Sequence, residues 1–386
     1  MSRKLPTTTK KIGVSLMTTT IRNEYHPQTV THPGEDLREK LEELQMTPLE
    51  FAVRCNKPVK TVSEVMNGKS SITPDMAVQF ENVLQIPANY WLKRQYNYDE
   101  AVARNKHQAT IEAAIPWAQE FPFADMAKKG WVVSTRKIEE KVEALLDFFC
   151  ISSHISWENY YIEQKLKGAF RISLAHAKSP FALSAWLQKG ENEARKIDAP
   201  EFSVKTLKEI LPELKSIMAG QPDDFFERIQ SLCLRAGVKV VYTPCLKGAP
   251  INGVARWIES NTTPLIQLSC RHKRNDIFWF SFFHEIGHIL LHGKKDIFLE
   301  GDGEYNEQDK EKEKEADEFA VKWTLTEAEE NAVLEDAPLD DDDILHWAKK
   351  LNTHPAIIIG RLQHRGHIPH YIGRDFFVKI EVNETN

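Results

Sequence analysis

Phe278-Trp-Phe-Ser-Phe-Phe-His284-Glu-Ile-Gly-His288-Ile-Leu-Leu-His292 is the stretch on which the reading of this chain turns. From Ile277 to Leu291 it is apolar on nearly every face of a helix, so that helix is expected to be buried. His284 and His288 stand at i and i+4 and project from one face, the spacing that lets two imidazoles hold one tetrahedral ion. Glu285 points into the same cleft, where it can take a proton from water and later deliver it to a leaving amine. Burying two imidazoles and a carboxylate is costly unless something pairs with them, and zinc does so. The alternative, two core histidines satisfied by backbone hydrogen bonds, leaves Glu285 without a use.

A catalytic zinc needs a third protein ligand and one open position. Downstream lies Glu313-Lys-Glu-Ala-Asp-Glu-Phe-Ala320. On a helix Glu313, Ala316, Asp317 and Ala320 share one face, and the two alanines allow close approach to the histidine helix. Glu313 would complete a His-His-Glu set, and Asp317, one turn on, would accept the free N–H of a ligating histidine. Lys312, Lys314 and Glu318 read as a solvated face, while Glu311 and Glu315 stay open as alternative ligands. His292, i+4 from His288, is a candidate fourth ligand. Four protein ligands would make the zinc structural, however, and Leu-Leu-His292-Gly reads as a helix terminus. The longer HExxHxxGxxH pattern is absent, because Leu291 and Lys294 occupy its Gly and His positions.

Upstream of this helix, residues 222–235 read as a helix. Three short β-rich runs follow: Val238–Thr243, Gly253–Ile258 and Pro264–Ser269. Gly253-Val-Ala-Arg256, Pro264-Leu-Ile-Gln-Leu-Ser269, the histidine helix and Glu313-x-Glu-Ala-Asp-x-Phe-Ala320 together resemble an ImmA/IrrE-type metallopeptidase domain over roughly residues 222–325. The resemblance implies a gluzincin-like zinc endopeptidase with His284, His288 and Glu313 as ligands and Glu285 as base. It also implies a helix-turn-helix repressor or antitoxin as substrate. An edge of the small sheet would take an extended peptide by strand addition. Arg256, His354 and Tyr371 are candidates for stabilising the transition state. His346 to His364 resembles the C-terminal helical extension of longer members. His364, His367 and His370 recur every three residues, but Gly366 and Pro369 break any helix, so no second metal site is expected.

Residues 32–105 read as all-helical. Pro33 starts an amphipathic run through Leu37, Leu41 and Leu44, and Thr47-Pro48 opens a second helix. Pro58 starts a third that Asn67-Gly68 ends, Thr73-Pro74 starts a fourth, and Pro87 starts a fifth. His32-Pro-Gly-Glu-Asp-Leu-Arg, Thr47-Pro-Leu-Glu-Phe-Ala, Lys60-Thr-Val-Ser-Glu-Val-Met-Asn-Gly-Lys69, Ile72-Thr-Pro-Asp-Met-Ala77 and Tyr90-Trp-Leu resemble HigA-type antitoxins of the lambda-repressor-like group. That fold lays its third helix in the major groove, so Lys60, Thr61, Ser63 and Glu64 would face bases. Asn67 and Lys69 would face phosphate. Residues 31–105 carry nine Lys/Arg against eleven Asp/Glu, a net charge of −2, where phosphate neutralisation favours basic excess. Lys57, Lys60 and Lys69 form a local basic cluster that partly answers this; Pro58 departs from the usual residue.

The 386 residues exceed one average domain, and with 41% hydrophobic residues they can bury a sizeable core. No run of eighteen apolar residues suggests a membrane span, and the first thirty residues lack the apolar segment of a signal peptide. They read as a flexible Thr-rich tail in which Met17 could be the start. Five cysteines without paired spacing argue against a disulfide framework and for a reducing cytoplasm. The net charge of −6 gives no global nucleic-acid footprint, so DNA binding rests on the local evidence.

The expected fold is a mostly helical α+β chain. A flexible tail covers 1–30, a five-helix helix-turn-helix domain 31–105, and a helical middle region 106–221, with candidate helices near 136–149, 157–169, 180–195 and 203–219. A zincin-like domain with a small β-sheet covers 222–325, and a C-terminal helical extension 326–386. The expected function is DNA binding joined to zinc-dependent cleavage of a repressor or antitoxin. The alternative is a non-enzymatic antitoxin-like regulator whose metallodomain senses a signal or binds a partner such as a toxin. A homodimer is compatible with either.

Overall fold

The computed structural model describes residues 30–164, 179–292, 298–299, 307–380 and 382. The tail expected over 1–30, Met17 included, lies outside them up to residue 29. The chain divides into two compact units between Ala109 and Thr110.

The first unit holds α1 (Pro33–Glu43), α2 (Pro48–Arg54), α3 (Val59–Met66), α4 (Pro74–Leu84) and most of α5 (Ala88–Ala113). Proline at the first helical position, preset in φ, starts α1, α2 and α4. The side chains of His32, Thr47 and Thr73 accept from the orphan N–H groups of those first turns. Leu37, Leu41, Phe51, Val62, Val65, Phe80 and Trp91 close one core. Leu44, expected on the apolar face of α1, is instead its C-cap and is 43% exposed. The α2–turn–α3 segment is held from α1 by Arg38, which donates to the Met66 carbonyl at 2.7 Å.

The second unit begins with α6 (Ile115–Gln119), α7 (Phe123–Lys128), α8 (Ile138–Phe149) and α9 (His154–Glu158). A π-helical turn over Asn159–Gln164 follows α9; of the one helix expected near 157–169, residues 165–169 lie outside the described residues. Aromatic packing holds this part together, with Trp157 stacked on Phe181 at 4.9 Å between ring centroids. Next come α10 (Pro180–Ala194), α11 (Val204–Gly220) and α12 (Phe225–Arg235).

Strands β1 (Lys239–Tyr242), β2 (Gly253–Ile258), β3 (Thr263–Leu268) and the two-residue β4 (Phe298–Leu299) form one sheet in the order β1-β3-β2-β4. β1 runs parallel to β3; β2 is antiparallel to both β3 and β4, with Ala255 opposite Ile266 and Phe298. Residues alternate between the two faces of a strand. One face carries Val240, Ala255, Ile266 and Leu268 into the core around α13 (Asn275–Leu291). The other packs on α10, where a Cβ at Gly190 would come within 2.0 Å of Gln267. That close approach lets Gln267 donate to the Trp186 carbonyl at 2.7 Å. α10, a helix of the middle region, is therefore a floor of the sheet.

α13 lies against α14 (Glu307–Thr324), with Gly287 facing Ala316 and Phe319. Phe283 meets Trp323, His284 meets Asp317 and His288 meets Glu313, so the two helices run antiparallel. α15 (Glu327–Glu335), α16 (Asp341–Leu351) and α17 (Pro355–His364) complete the unit. Ile344, Trp347, Ile357 and Ile358 belong to the same core as Phe278 and Phe282. The acidic run Asp340–Asp343 is a capping box for α16, in which the Asp340 and Asp343 side chains each accept from the other's backbone N–H.

Candidate metal centre

His284 and His288 are each 2% exposed, and Glu285 is fully buried, all on α13. Their helix can be buried because its remaining surface is Phe278, Trp279, Phe282, Phe283 and Ile286, packed on the sheet and on α14. The close contact at Gly287 brings α14 near enough for Glu313 to reach both histidines. Glu313 Oε2 lies 3.1 Å from His284 Nε2, and Oε1 lies 3.5 Å from His288 Nε2. The two Nε2 atoms are 2.9 Å apart. Among the described residues, His284, His288 and Glu313 are the one cluster of three ligand-type side chains whose donor atoms all fall within 4.8 Å.

The electrostatics suit a divalent cation. Burial, with the neighbouring imidazoles, pushes His288 down to about 4 against the pull of Glu313, so its ring is neutral at pH 7. Burial alone would raise Glu313. Hydrogen bonds from His284 and His288 outweigh it and hold the carboxyl at about 2, ionised at any ordinary pH. Two imidazoles and one carboxylate converging on a point form a donor set that fits zinc.

Partners outside the cluster orient it. His284 Nδ1 lies 2.9 Å from Asp317 Oδ1, the arrangement expected for Asp317. His288 Nδ1 lies 2.9 Å from His292 Nδ1, and His292 Nε2 lies 3.0 Å from Glu315 Oε2. His292 is the C-cap of α13 as expected, and its ring meets His288. The Glu285 carboxylate rests against β2, where a Cβ at Gly253 would come within 2.8 Å of Oε1. That contact was not read from the sequence. A glycine opening a strand signals close approach, but nothing local says to what.

Of the candidates for transition-state stabilisation, Arg256 is on the α10 side of the sheet, away from α13. There it donates to Glu191 at 3.0 Å and to the Leu187 carbonyl at 2.6 Å. His354 caps α17 and sits 3.2 Å from Asn275, at the far end of α13 from His284. Tyr371 is 70% exposed.

In the first unit, α3 buries Val62 and Val65, while Lys60, Ser63, Asn67 and Lys69 are exposed and Thr61 and Glu64 half-buried. Lys57 is not part of an open basic cluster, because Asp75 engages its ammonium at 2.6 Å. Lys60 lies 3.9 Å from Glu64, and the Asn67 amide donates to the Ser63 carbonyl at 2.8 Å.

These features define a DNA-binding helix-turn-helix chain that also carries a metallopeptidase-type pair of helices. The family model of the IrrE N-terminal-like domain, a peptidase class, matches residues 233–362, and a helix-turn-helix model matches 37–91. The chain is 32% identical over 78 residues to the uncharacterized HTH-type transcriptional regulator YddM of Escherichia coli, covering 20% of this chain and 79% of that protein. It is 35% identical over 69 residues to virulence-associated protein A of Dichelobacter nodosus, covering 17% and 68%. An addiction module antidote protein of the HigA family from Coxiella burnetii is 33% identical, with 22% of this chain and 92% of that chain covered and a TM-score of 0.21. The chain belongs to the helix-turn-helix family of YddM and carries an IrrE-like domain in addition. Among the described residues no helix is long and apolar enough to cross a membrane.

Proposed function

We propose that this chain is a regulatory zinc endopeptidase that binds DNA through residues 31–105 and cleaves a protein partner at His284, His288 and Glu313. The observation that carries the reading is the convergence of these three donors with Glu285 fully buried beside them. Zinc, when bound, supplies a Lewis acid that polarises the scissile carbonyl and lowers the pKa of water. The two Nε2 atoms and the Glu313 carboxylate would hold it. Glu285 would take a proton from the attacking water as the C–O bond forms, and then pass it to the amine nitrogen as the amide C–N bond breaks. Asp317 holds His284 in the tautomer that presents Nε2. The cleft wall at Gly253 fixes where the Glu285 carboxylate can sit.

A helix-turn-helix on the same chain favours a regulatory partner, a repressor or antitoxin, over general digestion. The IrrE-like match and the helix-turn-helix match on one chain support a regulatory role. Residues 106–221 and 326–386 would then frame the metal helices of 222–325, and α3 would read bases with Lys60, Thr61, Ser63 and Glu64. The test compares wild type with Glu285→Gln, which keeps the metal donors and removes the base. Mass spectrometry of the proteins encoded beside this one should find a partner cleaved only by wild type. If wild type and Glu285→Gln give the same partner levels and the same repression while His284→Ala abolishes both, the chain acts by binding and is no peptidase.

A further inference from the structure

The metal reading leaves His292 and Glu315 without a role, although the His292 side chain is only 3% exposed and is held at both ring nitrogens. We propose that His292 and Glu315 form a positioning relay that fixes the tautomer and aim of His288, as Asp317 does for His284. The relay rests on the His284–His288–Glu313 reading and adds two residues to it.

The proton count dictates the direction of the chain. A neutral imidazole carries one N–H, and with zinc held between His288 Nε2 and Glu313 that nitrogen would offer its lone pair to the ion. Its proton therefore sits on Nδ1, which faces His292 Nδ1 at 2.9 Å. His292 Nδ1 must accept, so the His292 proton sits on Nε2, and there Glu315 Oε2 accepts at 3.0 Å. Each nitrogen has one task, and the chain ends on a carboxylate whose side chain is 49% exposed, so its charge stays solvated. The fold supplies the geometry. The helix stops at His292 in extended backbone, while its N–H still bonds the His288 carbonyl at 3.1 Å. The ring thereby turns back onto the preceding turn of α13. With both nitrogens committed, His292 has no lone pair to offer as a fourth ligand, and the open position stays open. Each metal-facing histidine then leans on its own carboxylate from α14, directly for His284 and through a second imidazole for His288.

The test is zinc affinity of the full chain, measured by competition with a chromophoric chelator. It needs no substrate. His292→Phe keeps the ring shape and removes the acceptor, and it should weaken binding by about 10–100-fold. His292→Gln can accept from His288 and donate to Glu315, so it should stay within about threefold of wild type by that same bonding argument. Cobalt substituted for zinc should show displaced visible bands in His292→Phe and wild-type bands in His292→Gln. Tight zinc binding by wild type with equal affinity in His292→Phe overturns the relay alone. Equal weakening of both variants, with equal loss of melting temperature in chelator, also overturns it, because His292 is then structural packing. A wild-type chain that binds no zinc overturns the metal reading itself and the relay with it.

Discussion

Gly287→Val tests whether the distance between the two metal helices is set where the structure places it. Gly287 stands on the turn between His284 and His288. A Cβ there would lie 3.2 Å from Ala316 Cα, 3.2 Å from Phe319 Cβ and 3.4 Å from the Ala316 carbonyl oxygen. Two of these atoms are backbone, so relief requires α14 to move as a body, and valine adds two methyl groups beyond the Cβ. Overpacking of this kind costs about 1–3 kcal/mol, against a gain of about 0.3 kcal/mol from removing a helical glycine. The net expectation is a loss of about 1–3 kcal/mol in urea unfolding with chelator present. Glu313 lies one turn from Ala316, and zinc–ligand distances are tolerant to only about 0.2 Å. A shift of several tenths of an ångström should therefore weaken zinc binding at least about tenfold by that tolerance. Gly220→Ala is the control, because a Cβ there meets nothing within 4 Å. It should be neutral or stabilise by up to about 1 kcal/mol. If Gly287→Val matches Gly220→Ala in both stability and zinc affinity, helix contact at Gly287 does not position the site.

Gly253→Ala should displace the Glu285 carboxylate, which a Cβ would approach to 2.8 Å. Cleavage of the partner should fall by about 10²-fold with zinc content and melting temperature unchanged; full cleavage by this variant would contradict the placement. Glu191→Ala leaves Arg256 buried with its charge uncompensated, both side chains being nearly inaccessible at 7% and 11%. It should cost about 3–5 kcal/mol in denaturant unfolding, and a loss under about 1 kcal/mol would show that the pair does not anchor α10 to the sheet. In the first unit, the hydrogen bond from Arg94 holds Asp36 below its ordinary value of 3.8. The unfolded state then binds more protons, so this stabilisation is complete above that value and is lost as pH falls through the folded one. Asp36→Asn should flatten the acid limb of hydrogen exchange in α1 and α5; an unchanged limb contradicts the assignment.

The burial of the helix that carries the candidate site was legible because its polar residues and its apolar surface lie in one contiguous stretch. Asp276–Leu291 has no polar face except the one carrying His284, Glu285 and His288, so sequence alone says both that it is buried and what must compensate. Glu313 and Asp317 were legible from their shared face with Ala316 and Ala320. The choice between Glu313, Glu311 and Glu315 depended on the register of α13 against α14, which is fixed by the contact of Gly287 with Ala316 and Phe319. Register is a long-range property, and no local pattern carries it. The same holds for His292, whose spacing allows a ligand or a cap. Its relation to His288 depends on where the helix stops and what Glu315 can reach. The helix starts of the first unit were legible because proline and threonine caps act locally. The sheet order β1-β3-β2-β4 was not, since strand pairing is decided by what covers each face. The placement of α10 beneath the sheet was hidden for a related reason. Gly190 and Gln267 are far apart in sequence, and each looks unremarked alone. Arg256 shows the hazard of reading a lone cation as catalytic, because alternation along β2 sends it to the face opposite Glu285.

Everything proposed for the second unit rests on His284, His288 and Glu313 holding one zinc ion in this chain. Metal analysis and zinc affinity of the purified full-length protein, wild type beside Glu313→Gln, test it most directly. One zinc per wild-type chain is the expected result, with a loss of affinity in the variant greater than the roughly 10–100-fold that removing an outer hydrogen-bond partner costs. A wild-type chain without stoichiometric zinc, or a Glu313→Gln chain that binds zinc as tightly as wild type, would contradict it.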